Sequence, residues 1–194
     1  MAEQRVIIEG VDPGPLYPGS STNPLPVILT ANPQVDGTYI MSIANVAGTA
    51  TPNTFITLFN PVGSGKQVVV GGMFISTVAA AGTAATQPMR IHRINAAPTG
   101  GVLAVAADIF KFNSANPNPV SVVRTGNPTV TLLAPASNTP PPVTTGAGGG
   151  QFVHEVDPPT GTTVLLAPGE GVAVHNSAGD TAQRWNISLA WAEI

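Results

Sequence analysis

The sequence predicts an all-β fold, an antiparallel sandwich or barrel behind an extended N-terminal arm, on three observations. Apolar residues come in short runs rich in Val, Ile, Thr and Phe, such as TFITLFN (54–60) and KQVVVGGMFIS (66–76), and such side chains pack well on a pleated surface. Turn signals recur at intervals of about 8–15 residues, the spacing of a sandwich or barrel. The C-terminal RWNISLAWAEI puts Trp185, Ile187, Leu189 and Trp191 on one side and Asn186, Ser188, Ala190 and Ala192 on the other, the period of two that a half-buried strand requires. No segment has the apolar spacing of a helix; AAAGTAA (79–85) holds helix-forming alanines but no apolar stripe, and it contains Gly82.

Taken in order, residues 1–50 read as an arm and residues 51–194 as the sandwich. In PGPLYPGSSTNPLP (13–26) prolines fall every few residues, which blocks helix and favours extended chain. Two short apolar runs follow, Val27–Thr30 and Tyr39–Ile43. An arm lying on a neighbouring subunit would bury Leu16, Tyr17, Leu25, Val27, Ile28 and Leu29. TFITLFN and KQVVVGGMFIS are strands, and the PVGSG between them suits a hairpin turn. PMRIHRI (88–94) is a strand, NAAPTGG (95–101) a turn, and VLAVAADIFKFN (102–113) a strand broken by NPNPVSVVRTGNP. TVTLLAP (129–135) is a further strand, and residues 134–150, rich in Pro, Thr and Gly, are a loop without regular structure. QFVHEV (151–156) alternates, and TTVLLAPGEGVAVHN (162–176) reads as strand, tight turn, strand.

Composition narrows the partners. Charged residues make up 9% of the 194, against about 25% in a typical globular protein. The formal charge is −3 with only seven Lys and Arg, too few and too scattered to neutralise a run of phosphates, so no nucleic acid is expected. A surface this poor in charge suits a chain covered by other subunits rather than a lone soluble monomer. There is no cysteine, hence no disulfide or thiolate site. The start, MAEQRVIIEGVDPGP, lacks the apolar core of a secretory signal, and no run of about 18 apolar residues exists to span a membrane.

Chemistry finds little footing. NPVGSGKQVVV (60–70) looks like a phosphate-binding loop only at first sight. A P-loop needs glycine where Asn60 stands, a hydroxyl where Gln67 stands, and a helix where Val68–Val70 predict a strand. The three histidines, His92, His154 and His175, have no local metal-ligand spacing and are expected to be ordinary strand side chains unless the fold gathers them. Glu155, Asp157 and Glu170 are the only clustered carboxylates, and no G-x-S-x-G elbow occurs. Trp185 and Trp191 share a face with Ile187 and Leu189, which favours core packing over a sugar platform. In RIHR, Arg90 and Arg93 point to opposite sides of a strand, and an intersubunit salt bridge is expected there. No enzyme, cofactor or metal is expected.

The blocks TFITLFNPVGSGKQVVVGGMFIS, LLAPGEGVAVHN and RWNISLAWAEI resemble small jelly-roll capsid decoration (cement) proteins of tailed bacteriophages, over roughly residues 54–194. The resemblance is architectural rather than tied to a tight motif. It implies a non-enzymatic homotrimer on the major capsid protein at the outer surface of the virion, made in the host cytoplasm, its proline-rich arm reaching across neighbours. A glycan-binding head-fibre or tail-spike module, or another jelly-roll tail or neck protein, is the alternative.

Overall fold

The computed structural model describes residues 35–79, 85–86, 89–133, 144–145, 164–177, 181 and 183–194. The strands are β1 (Gly37–Ala47), β2 (Asn53–Phe59), β3 (Val68–Ala79), β4 (Ala85–Thr86), β5 (Met89–Ile94), β6 (Val102–Leu103), β7 (Phe110–Lys111), β8 (Val122–Thr125), β9 (Thr144–Thr145), β10 (Val164–Leu166), β11 (Gly171–Asn176) and β12 (Arg184–Glu193). One 3-10 turn, Ala106–Asp108, is the only helical element among the described residues. Two five-stranded antiparallel sheets form a sandwich, one in the order β10-β3-β12-β1-β7 (sheet A) and the other β5-β11-β2-β8-β6 (sheet B). The pair β4-β9 stands apart.

Period-two patterning builds the core. On β12 the tryptophans and their apolar companions are buried, Trp185 and Ile187 completely. They join Tyr39 and Met41 of β1 and Met73 and Ile75 of β3 against Phe55, Leu58, Val172 and Val174 of sheet B. Trp191 stacks beside Tyr39 with ring centroids 5.6 Å apart, and Trp185 lies 6.5 Å from Phe55. β2 is buried along its whole length. Its outward face is covered too, because Val130 and Leu132 pack on a second cluster of Phe59, Ile94 and Ala173. That double burial explains why TFITLFN reads as a nearly continuous apolar run rather than an alternation.

Three expectations need correction. The sandwich does not begin at residue 51: β1 lies within the span assigned to the arm, yet it sits between β12 and β7, with Tyr39 fully buried. Its alternation over residues 39–43 is weak because Ile40, on the outward face, is apolar as well, and a bulge between Ile43 and Val46 then shifts the period. Leu16, Tyr17, Leu25, Val27, Ile28 and Leu29 lie outside the described residues, as do QFVHEV and most of the 134–150 loop. The PVGSG turn is not a hairpin, since β2 belongs to sheet B and β3 to sheet A; the turn carries the chain from one layer to the other. The APGEG turn does the same between β10 and β11. Glycine content foretells the reversal, with positive φ at Gly63, Gly65 and Gly169, but not which strands then pair. Finally, VLAVAADIFKFN breaks into β6, the 3-10 turn and β7, and the described part of TVTLLAP, residues 129–133, makes isolated bridges, Thr99–Thr129 and Ile94–Leu132, in place of a strand.

The two layer-crossing corners meet at Asn60. Its Nδ2 donates to the carbonyls of Lys66 (2.9 Å) and Leu166 (3.1 Å). Its backbone N–H donates to Glu170 O (2.8 Å), and its carbonyl accepts from Gly169 N (2.7 Å).

Candidate functional site

The outward face of sheet A carries almost no charge. Its rows follow from the register: Thr38, Ala192 and Val69; Ile40, Ala190 and Gly72; Ser42, Ser188 and Phe74; then Asn186 and Ser76. Leu165 of β10 and Phe110 of β7 extend it on either side. Among the described residues the only ionic side chain on these rows is Arg184 at one end, which donates to Asn45 O (3.2 Å). Solvent-facing sheet faces are ordinarily polar; here Phe74, Val78, Leu165, Phe110 and Phe112 are exposed, the last two above 60% or at it. Phe110 and Phe112 form an edge-to-face pair with centroids 5.8 Å apart. Beside Phe112, a shallow apolar depression of about 410 Å³ runs over Ala190, Ala192, Val69 and Gly71.

The few polar groups of this face are satisfied sideways. Ser42 and Ser188 hydroxyls bond each other at 2.8 Å, Asn186 Nδ2 donates to Ser76 Oγ (3.4 Å), and Asn186 Oδ1 accepts from Asn45 N (2.9 Å). Covering them with apolar surface therefore strips fewer water bonds than usual. A neutral surface whose polar groups are already bonded to one another suits the centre of a protein–protein contact.

Sheet B differs. On its outward face Arg90 stands directly across from His175, and His92 directly across from Ala173. The two imidazoles, 83 positions apart in the sequence, come together with centroids 5.7 Å apart and planes perpendicular. His175 Nδ1 bonds Thr54 Oγ1 (3.1 Å), and His92 Nδ1 bonds Leu133 O (3.0 Å). Burial, and then the neighbouring His92, hold His175 below the usual histidine pKa. His154, Glu155 and Asp157 lie outside the described residues.

The expected arginine contacts divide. Arg93 meets a carboxylate of its own chain: Nη1 lies 3.6 Å from Glu170 Oε2 and donates to Leu165 O (3.3 Å). Arg90 is half-buried beside the histidines. Lys66, the lysine of the rejected phosphate loop, pairs with Asp36. Trp185 and Trp191 are core residues, so neither is a sugar platform. Among the described residues the exposed aromatics are Phe74, Phe110 and Phe112, which the sequence reading missed; the signal for the last two was the i,i+2 spacing in FKF, at the end of a run expected to be one long strand.

A buried carboxylate organises one edge. Glu193, 2% exposed, accepts from Val120 N (3.1 Å), Ser121 N (2.9 Å) and Ser121 Oγ (2.7 Å). Burial, and then the charge of Glu193, raise the pKa of Tyr39, whose hydroxyl donates to Pro117 O (3.1 Å). Among the described residues no group of three or more His, Cys, Asp or Glu could hold a metal ion, and no helix is long and apolar enough to cross a membrane. No protein-family model matches the chain, and no curated protein or solved structure is significantly similar to it.

Proposed function

We propose that this is a structural assembly protein, a jelly-roll decoration protein that binds the major capsid protein on the outside of a phage head as a homotrimer and stabilises the shell. The observation that carries the reading is the neutral outer face of sheet A with its exposed Phe74, Phe110 and Phe112. Exposed apolar surface of this extent suits burial against other protein, and the 9% charge of the whole chain agrees with it. Many symmetric copies then give firm attachment from modest single contacts. The exposed Phe110–Phe112 pair favours a second reading, a head-fibre or tail-spike module holding glycans on an aromatic ledge.

Solution mass by size-exclusion chromatography with light scattering, followed by co-sedimentation with undecorated heads, tests the first reading. The expected result is three times the 19.6 kDa chain mass and saturable pelleting, with Ala190→Arg weakening assembly while leaving the far-UV circular dichroism unchanged. A monomer that neither self-associates nor pellets would sink it. A monomer stabilised by a sugar, with the effect lost in Phe112→Ser, would establish the second.

A further inference from the structure

We infer that His92 and His175 form an open two-imidazole site for a borderline transition-metal cation such as Zn²⁺ on the outer face of sheet B. The inference does not depend on the assembly role. The two residues sit diagonally on neighbouring strands, since His92 pairs with Ala173 and His175 lies two residues further along β11. Their anchors pull in opposite directions. Leu133 runs along the outer edge of β5, where its N–H donates to Arg93 O (2.9 Å), and its carbonyl holds the Nδ1 of His92. Thr54 lies on β2, on the far side of β11, and holds the Nδ1 of His175. With both Nδ1 atoms anchored on opposite outer sides of the pair, the Nε2 atoms are the ring nitrogens not held by these anchors.

The tautomer follows from the partner. A carbonyl only accepts, so the Nδ1 of His92 carries a proton, and the neutral tautomer compatible with this contact has its lone pair on Nε2. An imidazole fixed by one nitrogen on a backbone oxygen and free at the other is the usual state of a metal-ligating histidine. The spacing also fits: with Zn–N bonds of about 2.0–2.1 Å each ring centroid stands about 3.2 Å from the metal, so centroids 5.7 Å apart subtend about 125° at the ion. With both Nδ1 atoms engaged by protein partners, the two Nε2 atoms are the ring nitrogens left to act as donors to a cation, although Arg90 lies across from His175. With only two protein donors the remaining positions belong to water or an added ligand, and Arg90 weakens the hold. Nitrogen donors select Zn²⁺, Ni²⁺ or Cu²⁺ over Mg²⁺ or Ca²⁺.

The test titrates Zn²⁺ alone into the full chain, with Mg²⁺ as control, following heat release, melting temperature and the ring-nitrogen chemical shifts of the three histidines. The expected result is saturable Zn²⁺ binding, absent for Mg²⁺, that moves the Nε2 resonances of His92 and His175 and leaves His154 in place. His92→Ala should weaken binding at least tenfold, and Arg90→Gln should strengthen it several-fold. Because His175→Ala also removes a bond to Thr54, the ring shifts of the unaltered chain decide the matter if that variant folds poorly. No Zn²⁺ effect up to millimolar concentration, or binding that survives His92→Ala, or shifts confined to His154, would overturn the assignment.

Discussion

Replacing Glu193 by Gln sets two opposed effects against each other. The carboxylate is 2% exposed and takes three donors, two on Oε1 and one on Oε2. The amide keeps the shape but loses the charge, and its NH₂ must face either the Val120 N–H or the Ser121 pair, donor against donor. One charge-assisted bond is then lost, worth about 1.5–3 kcal/mol, and the survivors weaken to neutral strength, about 0.5–1 kcal/mol more. Against this, the neutral amide no longer has to be desolvated as an ion, and no cation stands in an ion pair with Glu193 among the described residues to offset that cost. The three donors meet the carboxylate at 2.7–3.1 Å, close enough for hydrogen bonding to win. The expected net loss is about 2–3 kcal/mol, which at about 2–4 °C per kcal/mol for a chain of this size lowers the melting temperature by roughly 4–12 °C. Thermal unfolding by circular dichroism measures it, and hydrogen exchange at the Ser121 amide locates it. An unchanged or higher melting temperature with the Ser121 amide still protected would refute the reasoning and show that desolvation of the buried ion outweighs its three bonds.

Three further outcomes are expected. Trp191→Ala empties a core position that packs on Tyr39, so it should cost about 3–5 kcal/mol in denaturant unfolding; a loss below about 1 kcal/mol would place the ring outside the core. Deleting residues 1–34 should leave a cooperatively folding sandwich, whereas deleting residues 1–50 removes β1 from between β12 and β7 and should abolish cooperative unfolding; equal behaviour of the two truncations would contradict the central place of β1. His175 has a lowered pKa in the folded state, so the unfolded chain binds more protons as the pH drops. Its contribution is complete above about pH 6.5, the unperturbed value, and is lost as the pH falls through the folded pKa. Melting temperatures from pH 8 to 5 should therefore fall less steeply in His175→Gln, and parallel profiles would rule the residue out as a source of acid sensitivity.

The sequence disclosed the strands whose burial is one-sided or total. RWNISLAWAEI alternates without interruption and became β12 with both tryptophans inside; TFITLFN, covered on both faces, became β2. Where an outward position is apolar too, as Ile40 is, and a bulge follows between Ile43 and Val46, the alternation blurs and β1 reads as part of the arm. Turn chemistry at PVGSG and APGEG disclosed the reversals but not the change of layer, because a left-handed glycine serves a hairpin and a corner equally well. The candidate surfaces were less legible still. Low overall charge pointed to covered surface, but the face that lacks it is assembled from five strands drawn from both ends of the chain. His92 and His175 meet only through the pairing of β5 with β11, a register with no trace in the spacing of the residues themselves.

The placement of β12 has a consequence for biosynthesis. β12, made after the strands that flank it, lies in the middle of sheet A between β3 and β1, and Asn60 must wait for Leu166 before its amide is satisfied. During synthesis β1 and β3 therefore lack their shared neighbour until β12 has been made. Contacts spanning most of the chain fold slowly, and bare apolar strands aggregate meanwhile. Nascent chains that lack β12 should therefore be insoluble or chaperone-bound, so that completion of this one strand acts as the trigger for folding.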